Sequence, residues 1–246
     1  MRPAYPALGS FRRLPLRGRF QCRVRRVFLS RTWLRLGPVA RDVARSRPAN
    51  FKAWGVDKPH VVGNSLGGAI ALELGARGAA SSVTALGPAG FFGILNRVQT
   101  FVLLIMLRIS SLLPDRILRF VSTKAWGRKL AGSSLYTHPE RFTAEQVYGD
   151  AMTLKHSTGF ERTILAGVRY AFKQKIDVPT TNAWGTRDLI LPYSSSAIAQ
   201  ERLPEARHVA LPHCGHVPMV DDPGLVARVI ETTAADASAT KADHAA

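Results

Sequence analysis

A single serine lies in a tight turn flanked by glycines. Residues 63–67 read Gly-Asn-Ser-Leu-Gly, which fits the pattern Gly-x-Ser-x-Gly. A short β-branched run at 60–62 precedes the turn. An apolar helical pattern over 66–76 follows it, and this helix is expected to end near Gly78. Strand, turn and helix in this order are the context of a nucleophile elbow, where small residues let the turn close and expose the serine Oγ. The pattern alone is weak, because a structural turn with an incidental serine would look the same. Ser65 is therefore a candidate nucleophile.

A serine hydroxyl needs a base within hydrogen-bond reach, and that base needs an orienting carboxylate. Asp188 follows a predicted strand at 180–184, and His216 follows a predicted strand at 207–211. Both residues would lie on loops at the carboxyl ends of parallel strands, where open α/β sheets place their active sites. We therefore predict that Ser65, Asp188 and His216 meet. The alternatives are a turn-forming role for Asp188 and a surface position for His216.

Other polar residues near the predicted histidine loop compete for these roles. His213 is a second candidate base, which we place on the surface. Asp221 and Asp222 are candidate acids, but they precede a predicted helix at 224–232 and are better explained as helix caps. Cys214 is expected to be a small packed residue, with a reactive thiol as the alternative.

The elements around these residues predict an α/β fold with a parallel sheet. The first strand, the helix at 66–76 and a second strand at 82–86 form a βαβ unit, whose crossover is right-handed. The expected organisation has five segments. These are an Arg-rich leader at 1–50, a core with the elbow at 51–90, a helical segment at 91–175, a second core segment at 176–234 and a disordered tail at 235–246.

The most apolar run of the chain, residues 101–107, lies in the helical segment. A membrane span needs about 20 apolar residues. This run is shorter and is interrupted by Arg108, so it predicts a buried or interfacial helix. No transmembrane segment is expected.

The composition is that of an ordinary globular protein. The chain has 246 residues, of which 46% are hydrophobic and 21% charged, and this length suits one domain with an insertion. Its two cysteines, Cys22 and Cys214, exclude a disulfide framework, and no Cys/His spacing resembles a zinc site. We expect a cytoplasmic protein without a metal or an organic cofactor.

The net charge of +17 is concentrated near the N-terminus. Residues 1–50 contain 13 arginines, no lysine and one acidic residue, Asp42. A nucleic-acid or anionic-membrane arm is one explanation, although such arms usually also contain lysine. An export or transit peptide is a second, and Arg25-Arg26 faintly resembles a twin-arginine signal, but no apolar segment follows it. A poorly structured leader is the third explanation and the one we favour, so no nucleic-acid partner is expected.

Three ordered segments carry a family resemblance. Residues 62–68 (Val-Gly-Asn-Ser-Leu-Gly-Gly), 184–188 (Trp-Gly-Thr-Arg-Asp) and 214–218 (Cys-Gly-His-Val-Pro) resemble the signature segments of α/β-hydrolase-fold serine hydrolases, over about 51–233. The resemblance implies a mostly parallel sheet with a helical cap at 91–175. It also implies specific roles for four residues: Ser65 as nucleophile, Asp188 as acid, His216 as base and Leu66 N–H as an oxyanion-hole donor.

The resemblance also bears on the reaction. Asn64, before the nucleophile, resembles the carbon–carbon bond hydrolases of aromatic ring cleavage, although many esterases share it, and it is a candidate substrate-binding residue. Serine at position 65 argues against the epoxide-hydrolase and haloalkane-dehalogenase branches, which use a carboxylate nucleophile. Phe91 and Phe92, with Leu95 and Phe101, are expected either to line an apolar substrate pocket or to pack in the core.

We therefore expect a serine hydrolase that acts on ester-like bonds of small apolar molecules. A carbon–carbon bond hydrolase and a non-catalytic hydrolase-like remnant are the alternatives.

The sequence departs from the family before the nucleophile. Only 64 residues precede Ser65, where four strands and two helices normally lie and need roughly 70 residues. The His-Gly loop that normally supplies a second oxyanion-hole donor is also absent. We therefore expect an N-terminally truncated or altered member, which lacks several strands and leaves residues 61–62 near an open sheet edge.

Overall fold

The computed structural model describes residue 48, residue 51 and residues 55–243, with side chains described as far as residue 239. Apart from residues 48 and 51, the predicted leader at 1–50 and the approach to residue 55 lie outside the described residues. Residues 244–246 of the predicted tail lie outside them too.

Four parallel strands form the sheet in the described part of the chain. Each strand pairs with the next along the chain, in the order β1-β2-β3-β4. The strands are β1 (His60–Asn64), β2 (Ser82–Leu86), β3 (Thr180–Gly185) and β4 (Arg207–Leu211). In this register Asn64 lies beside Leu86, and Gly185 lies beside Leu211. The carboxyl ends of all four strands therefore meet at one edge, as predicted for a parallel α/β sheet.

The helices of the described region fall into two groups. Helix α1 (Leu66–Ala76) joins β1 to β2, and α7 (Ser195–Arg202) joins β3 to β4. Helices α8 (Pro218–Asp221) and α9 (Pro223–Asp243) follow β4. Besides a 3₁₀ helix at Pro139–Arg141, five α-helices lie between β2 and β3, and we call residues 94–169 the helical insertion. They are α2 (Ile94–Ser111), α3 (Asp115–Thr123), α4 (Ala125–Gly132), α5 (Ala144–Lys155) and α6 (Phe160–Arg169).

The core lies where the central strands meet their helices. Every residue of β2 and β3 is buried, as expected for strands of a parallel sheet covered by helices. Gly75 of α1 lies so close to Val83 that an added Cβ would come within 2.6 Å of its methyl group. Glycine at this position thus lets α1 pack directly on β2.

The C-terminal helix is longer than the sequence predicted. The tail predicted to be disordered from residue 235 is helical as far as Asp243, so that prediction is wrong for residues 235–243. The last turns are rich in alanine, which has the highest helix propensity. They are also packed, since Thr233 and Ala237 are buried one turn apart. The Thr233 hydroxyl donates to the Thr181 hydroxyl at 2.7 Å, which fixes α9 to β3.

The turn between β1 and α1 depends on the absence of a side chain at Gly63. A Cβ there would lie 2.0 Å from the Gly67 carbonyl oxygen, which is backbone and cannot rotate away. We expect Gly63→Ala to destabilise the fold by about 3 kcal/mol or more, which lowers Tm by roughly 6–12 °C. Thermal unfolding followed by circular dichroism measures this shift.

Gly149 provides the matched control for this substitution. It lies within α5, and an added Cβ would meet nothing within 4 Å. Gly149→Ala should therefore stabilise the protein by about 0.5–1 kcal/mol, because glycine costs backbone entropy in a helix. If both variants melt like the wild type, the steric explanation for Gly63 is incorrect.

Candidate active site

Ser65 occupies a strained backbone conformation between β1 and α1. Its φ is 56° and its ψ is −117°, a region that non-glycine residues seldom adopt. The surrounding backbone holds it there. Ser65 N donates to Leu86 O at 2.9 Å, and Ser65 O accepts from Ala69 N and Ala89 N, both at 3.1 Å. Such over-determined strain is typical of functional sites.

Leu66 is the first residue of α1, directly after the strained serine. The first four N–H groups of a helix have no partner within the helix, and the helix dipole adds partial positive charge there. An oxyanion that forms beside Ser65 would find this favourable. The role of the Leu66 N–H as an oxyanion-hole donor stays a prediction.

The structure brings His216 and Asp188 together. His216 Nδ1 lies 2.9 Å from Asp188 Oδ2, and both side chains are almost fully buried. The other carboxylate oxygen accepts from Leu191 N at 2.8 Å. Asp188 therefore shapes its own loop and contacts the imidazole as well. When Nδ1–H donates to Asp188, Nε2 keeps its lone pair and can accept a proton.

Asn64 connects the serine turn to the histidine loop. Its side-chain Nδ2 donates to the backbone oxygen of His216 at 3.0 Å. The residue that precedes Ser65 is thus bonded to the residue that carries the imidazole, 152 positions away. This contact shows how the two loops adjoin at the carboxyl edge of the sheet. A substrate-binding role for Asn64 stays a prediction.

Asp221 fastens the histidine loop to the helical insertion. Its Oδ2 accepts from Gly215 N at 2.7 Å and from the Thr137 hydroxyl at 3.2 Å. Its Oδ1 accepts from Thr137 N at 2.9 Å. The prediction that Asp221 is a helix cap is therefore wrong, because its side chain bridges two loops. The same prediction is confirmed for Asp222, whose Oδ1 accepts from Leu225 N at 2.8 Å in the first turn of α9.

Removal of the Asp221 carboxylate should displace the His216 imidazole, although Asp221 bonds the neighbouring Gly215 and not the imidazole itself. We expect Asp221→Ala to lower kcat by about 100-fold for a reaction that uses this imidazole, because a misplacement of roughly 1 Å has that effect on catalytic geometry. Asp222→Ala is the matched control. It removes a cap worth about 1 kcal/mol and should leave kcat within about twofold. Steady-state kinetics on both variants tests this, and equal kcat values would contradict it.

The two other candidates on the histidine loop behave as the sequence predicted. His213 is exposed, in agreement with its predicted surface position. Cys214 is buried in the core cluster with Leu211 and Val226. Burial, with the nearby charges of two aspartates, raises the pKa of the Cys214 thiol to about 11. The thiol therefore stays neutral near pH 7, which supports a packing role over a reactive one.

The aromatic residues proposed for a pocket differ in their surroundings. Phe91 is fully buried, and its ring centroid lies 6.0 Å from that of Phe172 and 6.4 Å from that of Trp184. It packs in the core, which is the alternative that the sequence left open. Phe92 is also buried, whereas Leu95 and Phe101 of α2 are exposed. A substrate contact by Phe92 stays a prediction.

Known proteins with related sequences or structures catalyse several kinds of hydrolysis. Epoxide hydrolase EphH of Mycobacterium tuberculosis is 28% identical over 187 residues, which cover 72% of this chain and 86% of the relative. A membrane phospholipase A described as a bacterial virulence factor superposes with a TM-score of 0.60 at 22% identity. That match covers 81% of this chain but only 64% of the phospholipase. The 2-hydroxy-6-oxo-6-phenylhexa-2,4-dienoate hydrolase of Rhodococcus sp. strain RHA1 superposes with a TM-score of 0.54 at 17% identity, over 81% of this chain and 73% of that one.

A family model described as the alpha/beta hydrolase fold matches residues 34–223. The resemblance was expected to begin near residue 51, but the match begins at residue 34. Residues 34–50 of the predicted leader therefore fall within the matched region. It includes Ser65, Asp188 and His216, together with the four described strands. The chain belongs to the alpha/beta hydrolase fold family.

Proposed function

We propose that the chain is a serine hydrolase that cleaves ester bonds of small apolar molecules with a Ser65–His216–Asp188 triad. The observation that carries the proposal is the chain of contacts at the carboxyl edge of the sheet. Ser65 sits strained at the elbow, its neighbour Asn64 is bonded to His216, and His216 is bonded to Asp188.

The triad residues have distinct roles in the proposed reaction. Ser65 Oγ attacks the ester carbonyl carbon while His216 Nε2 takes the hydroxyl proton. The tetrahedral intermediate then expels the alcohol, which receives that proton from His216. Water attacks the acyl-enzyme with His216 again as the base, which releases the acid and restores Ser65. Asp188 orients the imidazole and stabilises its charged form throughout.

The identity of the nucleophile favours ester hydrolysis over epoxide hydrolysis. A carboxylate that opens an epoxide forms an ester, which activated water can cleave. A serine that opens an epoxide would form an ether, which His216 and water would not cleave. Although one relative is named an epoxide hydrolase, Ser65 supports acyl transfer in this chain.

A carbon–carbon bond hydrolase is the second candidate. Asn64 next to the nucleophile favours it, and one structural neighbour is a dienoate hydrolase. That reaction would use the same three residues on a vinylogous diketone.

A fluorophosphonate probe and a substrate panel test the proposal together. We expect the probe to modify Ser65, as located by peptide mass spectrometry, and the enzyme to hydrolyse p-nitrophenyl butyrate but not styrene oxide. Turnover of ring-fission dienoates without turnover of esters would support the second candidate. A chain that is folded by circular dichroism but neither labelled nor active would be a non-catalytic remnant, contrary to the proposal.

A further inference from the structure

Helix α2 presents an apolar face to solvent. Besides Phe101, which is 36% exposed, six exposed apolar side chains of α2 fall within one sector of about 120° at 100° per residue. They are Ile94 and Leu95, each 83% exposed, with Val98 at 58%, Val102 at 46%, Met106 at 54% and Ile109 at 55%. We call these six residues the α2 apolar face. A surface helix usually packs its apolar face against the core, whereas α2 exposes this face to solvent.

Polar side chains on the opposite side fix this orientation. Thr100 is buried, and its hydroxyl donates to Ile190 O at 2.6 Å. Asn96 Nδ2 donates to Ser195 Oγ at 2.9 Å. Rotation of the apolar face into the core would break both bonds and bury unpaired polar groups. The face is thus held outward by the fold.

The same contacts argue against a membrane-spanning role for α2. By length and composition, α2 is the one helix in the described part of the chain that could cross a bilayer. This criterion alone is weak evidence for a membrane span. Arg108 near its end is tied to Glu161 of α6 at 2.7 Å. A helix bonded to the protein along one side can lie on a bilayer with its free side, as interfacial helices do.

We propose that the α2 apolar face docks on the surface of an anionic lipid bilayer. Contiguous exposed apolar surface marks an interaction site, and the surrounding charge selects the partner. The helical insertion, residues 94–169, contains eleven basic and five acidic residues, so it carries a net positive charge. Arg97 is exposed beside the apolar face. An apolar face on a segment of net positive charge matches a bilayer that combines acyl chains with anionic headgroups.

Charge disfavours two alternative partners for this face, which are a second copy of the chain and its own N-terminal residues. A second copy of the chain would bring two such basic surfaces together about a two-fold axis. The N-terminal 50 residues, with 13 arginines and one acid, carry charge of the same sign, so their charge does not complement this face. An anionic lipid surface attracts all of these groups.

Vesicle flotation with the full-length chain tests the proposal. The probes are vesicles of phosphatidylcholine with and without phosphatidylglycerol. We expect at least about tenfold more wild-type protein on the anionic vesicles at low salt, and weaker binding at high salt. Val98→Asp with Val102→Asp should reduce the bound fraction by about tenfold or more. Leu165→Asp, at a 48% exposed leucine of α6, is the matched control and should bind like the wild type.

Four results would overturn the proposal. The first is a wild-type chain that does not float, and the second is flotation that high salt leaves unchanged. The third is a double variant that is folded by circular dichroism and still binds, which would assign binding to the arginines of residues 1–50. The fourth is a wild-type dimer in sedimentation velocity that the double variant dissociates, which would assign the face to a second copy. Because flotation needs no turnover, Ser65→Ala should bind like the wild type, so this test is independent of the proposed reaction.

Discussion

Ser65→Ala is expected to lower kcat for ester hydrolysis by about 10⁴- to 10⁶-fold. The hydroxyl is the only group of Ser65 that the proposed reaction uses. The backbone bonds that shape the elbow, to Leu86, Ala69 and Ala89, are independent of it. The variant should therefore fold and lose only the covalent step. Steady-state kinetics with p-nitrophenyl butyrate measures the loss, and fluorophosphonate labelling should vanish with it.

Ser110→Ala is the matched control for this prediction. Ser110 is an exposed residue of α2, and its hydroxyl donates only locally, to Leu107 O at 2.9 Å. Its removal should change neither kcat nor labelling. Activity of Ser65→Ala within about tenfold of the wild type would mean that another group is the nucleophile, or that water attacks directly.

The elements that position this serine could be read from short sequence patterns. The runs at 82–86 and 207–211 are strands with the predicted bounds, and the helix predicted to end near Gly78 begins at Leu66 and ends at Ala76. Each of these segments is bounded by glycine, proline or small residues that stop the pattern. The end of α9 was missed, because the tail composition suggested disorder, whereas buried Thr233 and Ala237 hold it against the sheet.

The contacts that organise the candidate site were beyond the reach of sequence patterns. Motifs single out Ser65, Asp188 and His216, because each follows a strand end. Nothing in the sequence indicates that Asn64 bonds to His216 or that Asp221 bonds to Thr137, since these partners lie 152 and 84 positions apart. Such pairs depend on how loops from different elements pack.

The orientation of α2 also depends on packing between segments that are far apart in the sequence. The apolar run at 101–107 predicted a buried or interfacial helix, and the sequence left that choice open. The bonds of Thr100 and Asn96 to the segment after β3 exclude the buried alternative, because they turn the apolar side outward. The periodicity of a helix shows that it has an apolar face. Which way that face points depends on what the opposite, polar face contacts in the folded protein.

Asp188→Asn should reduce kcat by about 10⁴-fold near neutral pH while the protein stays folded. An asparagine can keep its carbonyl oxygen on Leu191 N, which preserves the loop. Its amide nitrogen would then face His216 Nδ1 and donate to it. That forces the imidazole proton onto Nε2, the nitrogen that must accept the proton of Ser65. The negative charge that stabilises the imidazolium is lost as well.

Steady-state kinetics and thermal unfolding separate this effect from a loss of structure. Asp115→Asn is the matched control, because Asp115 is exposed and its carboxylate bonds Lys155 Nζ at 2.7 Å, within the helical insertion. It changes the same functional group and should leave kcat unaltered. If Asp188→Asn keeps more than about a tenth of the wild-type kcat, the imidazole does not depend on this carboxylate. The contact between His216 and Asp188 would then serve the fold and not the reaction.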